Sequence, residues 1–301
     1  MAAEIVVVGS LNQDTTVRVA RLPHPGETVL GQGHFSDTGG KGANQAVAAA
    51  RLGGSVAMIG MVGADASGAR LLQSLRAAGV AVDEVGRSAD AATGLALITV
   101  DEHGENMIVV SPGANAALRP SDVRSSSATL EQAVITMLQL EIRIDTVAEA
   151  AARSGGTVIL NPAPARFLDP RLLVDVDVLI PNRTELAELA GAPESLTIDD
   201  AARLASAIRG PQTVVVTLGS DGALLVEDGE VLHVGAVAVE AVDPTGAGDA
   251  FCAGFADALV RGASTEDAVR WAVRCGAAAT LRWGAQAALP TREDVERLAD
   301  S

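Results

Sequence analysis

Short apolar runs, each closed by a small-residue turn, recur along the chain. Ile5-Val6-Val7-Val8 ends at Gly9-Ser10, and Val56 to Gly60, Ala133 to Met137, Thr157 to Leu160, Val176 to Ile180 and Thr213 to Thr217 repeat the pattern. Such runs read as strands buried on both faces, the mark of a parallel sheet under helices. Between them lie segments rich in Ala, Leu, Arg and Glu with helical spacing: Ala43 to Leu52, Ala69 to Ala78, Asp145 to Ser154, Glu185 to Leu189 and Ile198 to Ile208. This alternation predicts an α/β fold, a three-layer αβα sandwich around a mostly parallel, doubly wound sheet.

Two segments break the alternation. Thr15 to Thr38 holds Pro23, Pro25 and three glycines among short β-prone pieces. Thr93 to Val110 reads as a hairpin, with Leu95 to Val100 and Met107 to Val110 around the polar turn Asp101 to Glu105. Neither has a helix of its own to cover it. The expected organisation is a core of residues 1–14, 39–92 and 111–301, with 15–38 and 93–110 as a small β-sheet lid over a site. An ordinary surface hairpin fits the second segment equally well. Val237 to Val242 also looks strand-like before a further helix.

With 301 residues, 48% of them apolar and 20% charged, the chain can build one large domain with a small appendage. The net charge of −16 argues against a nucleic-acid partner. No stretch of about eighteen uninterrupted apolar residues occurs, so no membrane span is expected. Cys252 and Cys275 lack metal-site spacing and suit a reducing compartment, and the N-terminus has no basic signal-like region, so a cytoplasmic location is expected. Aromatic residues make up 2%, with no Tyr, so the core must be aliphatic. His24, His34, His103 and His233 are scattered singly and read as surface or loop residues. Trp271 and Trp283 read as packing residues, and Asp199-Asp200 as acids capping a helix from just before it.

Two glycine-rich motifs offer chemistry. Thr38-Gly39-Gly40-Lys41-Gly42-Ala43-Asn44-Gln45-Ala46 runs into an Ala-rich helix. Its glycines admit close approach of a ligand to the backbone, and the helix start offers free N–H groups. Lys41 and Asn44 add a cation and an amide, suited to a hydroxyl-rich or anionic small molecule. A Walker A loop is excluded, because no Gly-Lys-Ser/Thr is present there. Asp243-Pro244-Thr245-Gly246-Ala247-Gly248-Asp249 opens a second helix. Gly246, Ala247 and Gly248 would present consecutive amides as an anion hole, with Asp249 in the first turn. Helix-end stabilisation accounts for that acid equally well. An acid beside an anion hole is also what transfer of a phosphoryl group to a hydroxyl requires.

Taken together, Gly-Gly-Lys-Gly-Ala-Asn and Asp-x-x-Gly-Ala-Gly-Asp resemble the two signatures of the ribokinase family of sugar and nucleoside kinases. Gly9 to Asp14, Pro25-Gly26-Glu27-Thr28, Gly113-Ala114-Asn115, Leu138 to Glu141, Asn161 to Ala165, Pro181 to Glu185, Thr217-Leu218-Gly219 and Gly284-Ala285-Gln286 extend the likeness over nearly the whole chain. The resemblance implies ATP-dependent phosphorylation of D-ribose at O5, by direct in-line transfer. Asn12, Asp14, Gly40, Lys41, Asn44 and Glu141 would hold the sugar, and Asp249 would be the general base beside the Gly246–Gly248 amides. Asn182, Thr217, Gly219, Gly222 and Gly248 would line the nucleotide. Asn182 and Glu185 would organise Mg²⁺ through waters, although the same pair is good helix-capping chemistry. A monovalent cation, K⁺, would lie against Asp243, Thr245, Ala279, Arg282, Gly284 and Ala288, mostly through carbonyls. Two positions depart from the family pattern: Ala288 stands where a serine hydroxyl is usual, and near Val273 relatives carry a polar residue beside adenine. The family commonly forms homodimers through the lid. Alternatives are a kinase of fructose, deoxyribose or adenosine, or a sugar-binding sensor that has lost catalysis. A dinucleotide-dependent oxidoreductase is disfavoured, because Gly9 stands alone where Gly-x-Gly-x-x-Gly is required.

Overall fold

The computed structural model describes residues 3–193 and 195–298. In chain order the elements are β1 (Ile5–Val8), β2 (Asn12–Val19), β3 (Gly31–Gly39), α1 (Lys41–Arg51), β4 (Val56–Gly63), α2 (Ala66–Ala77), β5 (Val85–Ser88), β6 (Gly94–Val100), β7 (Asn106–Ser111), α3 (Pro120–Ser125), α4 (Ser127–Gln132), β8 (Ile135–Leu138) and α5 (Ile144–Arg153). After these come β9 (Thr157–Leu160), α6 (Pro170–Leu173), β10 (Val178–Leu179), α7 (Arg183–Ala190), α8 (Ile198–Ala207), β11 (Thr213–Thr217), β12 (Ala223–Glu227), β13 (Glu230–Val234), α9 (Ala247–Val260), α10 (Thr265–Ala279) and α11 (Arg292–Arg297).

Nine strands form one sheet in the order β13-β12-β11-β10-β9-β8-β1-β4-β5. From β11 to β5 the neighbours run parallel, and β12 and β13 add an antiparallel edge. Alternation within the apolar runs feeds two cores. Ile5 and Val7 of β1 face α1, α2, α9 and α10, while Val6 and Val8 face the layer of α3 to α8. The chain winds from β1 outward through β4 and β5, then resumes on the other side at β8. The strand order therefore reverses between β1 and β8, where ligands of open α/β sheets bind at the carboxyl ends of the strands.

Helix α9 is central to that crevice. Every residue from Asp249 to Ala258 is buried, as expected of a helix apolar all round and packed on several sides. Small residues make this possible: a Cβ at Gly254 would lie 2.6 Å from Cys275 Sγ of α10. The first turn of α9, which carries Asp249, is thus held firmly over the strand ends.

A second sheet has the order β3-β2-β6-β7, with β2 parallel to β6 and the other pairs antiparallel. Asn12 begins β2, so Asn12 and Asp14 stand at the root of this smaller sheet. Leu97 pairs with Val109 across β6 and β7, and Thr99 pairs with Met107 on the same face. Leu97, Met107 and Val109 are 50%, 51% and 65% exposed, leaving that face uncovered.

Three sequence expectations need correction. Val237 to Val242 is not a strand: β13 ends at Val234, and residues 237–242 pair with no neighbouring strand. Val237 and Val239 are half-buried between exposed neighbours, so the alternation is real without a ladder. Asp199 and Asp200 lie inside the first turn of α8 rather than before it; Thr197 is the N-cap and Asp200 closes a capping box. Trp283 does not pack inside the protein. It is 65% exposed, with the Arg18 guanidinium 5.5 Å from its ring centre.

Candidate active site

The crevice is built first from close backbone contact. A Cβ at Gly42 would lie 2.6 Å from the amide nitrogen of Ser10, so only glycine lets α1 begin directly on the turn after β1. Ser10 Oγ, Asn12 Nδ2 and the Lys41 amide all donate to Glu141 Oε2, at 2.6, 3.3 and 3.2 Å. One carboxylate past β8 therefore ties together the turn after β1, the root of the smaller sheet and the start of α1. Asn115 fixes Asn12 from behind: it donates to Asn12 Oδ1 at 2.7 Å and accepts from the Leu11 amide at 2.9 Å.

Asp14 lies opposite Asp37 in the β2–β3 ladder. Burial, reinforced by the negative charges of Glu141, Asp37 and Asp249, raises its pKa from an ordinary 3.8 to about 7. Facing these acids is Lys41. Burial pulls its ammonium down, but Asp249, Glu141 and Glu185 together outweigh that and leave its pKa raised.

Gly246, with φ of +79°, turns the chain into α9 and is its N-cap. Asp249 follows in the first turn, 7% exposed. Asn44 Nδ2 donates to its Oδ2 at 2.9 Å and Gln45 Nε2 to its Oδ1 at 3.1 Å. Burial pushes its pKa up, while Lys41 and the two amides pull it back. A carboxylate so placed is held in one orientation by its two donors and has an oxygen lone pair that can accept a proton.

From Asp249 a cleft of about 240 Å³ opens, lined by Lys41, Asn182, Glu185, Thr217, Gly246 and Gly248 among others. Asn182 caps α7 in a capping box with Glu185, and Asn182 Nδ2 also donates to Glu185 Oε1 at 2.9 Å. The capping and the cleft-lining positions thus coincide in the same two side chains. Asn182 and Thr217 are bridged in parallel, and Gly219 and Gly222 form the turn just beyond, both at positive φ. Asp243 ties two loops together, accepting from the Thr245 amide and the Gly284 amide, each at 2.9 Å. Ala279 and Ala288 are buried close by in sequence, and the Arg282 side chain turns outward to Asp294. Among the described residues no group of three or more His, Cys, Asp or Glu could hold a metal ion.

Four polar residues of this region lie within the quoted motifs without a role assigned to them there: Ser10, Gln45, Asn115 and Gln139. All are 1% exposed or less. Their signal is an amide or hydroxyl embedded in an apolar or small-residue run, as in Leu138-Gln139-Leu140. Such a group is retained inside a core only when it is hydrogen-bonded to something.

Residues 2–292 match the model of the pfkB family carbohydrate kinases. The chain belongs to that family. A ribokinase from Haemophilus influenzae is 37% identical over 98% of this chain and 97% of its own length. Among solved structures, ribokinase from Thermotoga maritima superposes with a TM-score of 0.92 at 36% identity, covering 99% of this chain and all of its own. Arabidopsis thaliana ribokinase, solved with ribose and ATP, superposes with a TM-score of 0.91 at 34% identity over the whole of both chains. The protein is thus a carbohydrate kinase with the ribokinase fold.

The shifted carboxyl of Asp14 makes a stability prediction for the ligand-free protein. The unfolded chain releases this proton near pH 4 and the folded chain near pH 7. Between those values the folded state holds the extra proton, so this contribution is full below pH 4 and is lost as pH rises to 7. In thermal melts, Asp14→Asn should gain on the wild type progressively across that window. A difference independent of pH would contradict the assignment.

Proposed function

We propose that the protein transfers the γ-phosphoryl group of ATP to O5 of D-ribose, giving D-ribose 5-phosphate and ADP. The observation that carries this reading is the placement of Asp249: a buried, doubly hydrogen-bonded carboxylate in the same helical turn as the Gly246–Gly248 amides, in the cleft lined by Asn182, Glu185 and Thr217. Full-length likeness to ribokinases, one of them solved with ribose and ATP, supports the choice of substrates.

In this reading the sugar lies at the switch point. Asn12, Asp14, Glu141, Asn44 and Lys41, with the backbone at Gly40, bind its hydroxyls, each carboxylate accepting up to two of them. Asp249 takes the O5 proton as the oxygen attacks the γ-phosphorus, and the P–O bond to ADP breaks on the opposite side. The amides of Gly246, Ala247 and Gly248 and the Lys41 ammonium neutralise charge on the phosphoryl oxygens. No protein nucleophile is needed, because positioning and charge neutralisation suffice. The nucleotide runs past Asn182 and Thr217 toward Gly219 and Gly222.

Asn182 and Glu185 fit Mg²⁺ held through waters: the carboxylate is buried, faces the cleft and has no cluster of further acids among the described residues to bind the ion directly. Mg²⁺ there would neutralise phosphate charge. The loops of Asp243 and Thr245 and of Ala279, Arg282, Gly284 and Ala288 fit K⁺ in a different way. Both carboxylate oxygens of Asp243 are engaged by backbone amides, and Ala288 has no hydroxyl, so the donors are main-chain carbonyls. K⁺ would steady the loop that leads into the anion hole. The uncovered face of Leu97, Met107 and Val109 fits a second copy of the chain, making a homodimer through the smaller sheets. Two buried, unpaired cysteines suit a reducing, cytoplasmic setting.

Three experiments test this reading. Asp249→Asn should lower kcat by at least about 10²-fold while sugar affinity is retained; an unchanged kcat removes Asp249 from its role. In a coupled assay of ADP release, ribose should outpace fructose, deoxyribose and adenosine in kcat/KM, and a faster rival would replace it as substrate. Leu97→Glu with Val109→Glu should convert a dimer to a monomer in sedimentation velocity. A wild-type monomer, or a variant that stays dimeric, would refute the proposed interface.

A further inference from the structure

Gln45 and Gln139 have no part in the binding roles above, yet they are 1% and 0% exposed beside the site. Gln139 follows the carboxyl end of β8, and its Nε2 donates to Gln45 Oε1 at 2.6 Å. Gln45 Nε2 in turn donates to Asp249 Oδ1 at 3.1 Å and to Asn161 Oδ1 at 3.3 Å. Asn161 donates onward to the Ile180 carbonyl at 2.9 Å. The network thus joins the ends of β8, β9 and β10 to the first turns of α1 and α9.

Its direction is set by chemistry. A primary amide has one acceptor oxygen and one donor nitrogen. With Gln45 Oε1 occupied by Gln139, only its N–H end is left to face the carboxylate. Gln139 is fixed in turn by the turn after β1: a Cβ at Gly9 would lie 2.0 Å from Gln139 Oε1. That oxygen is buried and accepts no hydrogen bond among the described residues. An unpartnered buried acceptor is costly, so this amide is kept for what its nitrogen does.

We propose that Gln139 and Gln45 form a positioning relay, in which Gln139 fixes the orientation of the Gln45 amide and Gln45 holds the Asp249 carboxylate aimed at the sugar hydroxyl. Asn44 grips Oδ2 and Gln45 grips Oδ1, so the two donors together fix the plane of the carboxylate. Loss of one leaves the carboxylate free to turn, and misplacement of a reacting group by a fraction of an ångström slows transfer without weakening sugar binding. The inference rests on the reading of Asp249 as the base.

The test compares Gln45→Met, Gln139→Met and the double variant. Gln45→Met should lower kcat at least 10-fold with the ribose Kd, by calorimetry, within threefold of wild type. Gln139→Met should lower kcat less, with the same unchanged Kd, and the double variant should be no slower than Gln45→Met alone. A Gln45→Met kcat within twofold of wild type overturns the relay, as does a loss of ribose affinity matching the loss of kcat. Effects that multiply in the double variant also overturn it, because Gln139 would then not act through Gln45. Should Gln45→Met fail to fold, Gln45→Glu takes its place under the same criteria. It still accepts from Gln139 but, when ionised, has no proton to donate to Asp249. An active Asp249→Asn enzyme would sink the base itself; an inactive one beside an unaffected Gln45→Met enzyme sinks only the relay.

Discussion

A single buried carboxylate at the start of a buried helix constrains the rest of this structure. Burying Asp249 without partners would drive it to its neutral form, useless as a base. The protein offsets part of that cost with two side-chain amides and one ammonium, drawn from the start of α1, and burial still leaves the pKa raised. To bring them there, α1 must begin against the turn after β1, which glycine at position 42 permits. The geometry of this carboxylate thus reaches back to the switch point between β1 and β8.

Charge balance at the crevice has the same origin. Glu141, Asp249 and Glu185 act on Lys41, while the charges that act on Asp14 are all negative. In the ligand-free state burial, reinforced by this excess of acid, raises the pKa of Asp14. Sugar hydroxyls can satisfy such acceptors without adding charge. Polyphosphate needs positive potential, which the Gly246–Gly248 amides, Lys41 and a bound cation can offer at the other end of the cleft. The site is therefore polarised, acidic where an alcohol would sit and amide-rich where an anion would sit.

Much of this was legible in the chain. The apolar runs of β1, β4, β9 and β11 and the helical spacing of α1, α5 and α8 carry the doubly wound sheet, because a strand buried on both faces leaves little room for polar residues. Less legible were β5 and β13, the edge strands, where burial demands less of the sequence, and β12, a buried run that follows β11 after only a tight turn. Val237 to Val242 misled because half-burial against a core produces the same alternation as pairing in a sheet. The two glycine-rich motifs marked Lys41, Asn44 and Asp249, whose chemistry is local to their segments. Gln45 and Gln139 lie within segments that carry the family likeness, but no role for them follows from those segments, because their contact joins residues 94 positions apart.

The most direct measurement is a crystal structure of the protein with D-ribose and a non-hydrolysable ATP analogue. The account predicts the sugar's O5 within about 2.6–3.2 Å of an Asp249 carboxylate oxygen, with the terminal phosphoryl group on the Gly246–Gly248 amides in line with it. A ribose bound elsewhere, or one that turns a different hydroxyl to Asp249, would contradict it.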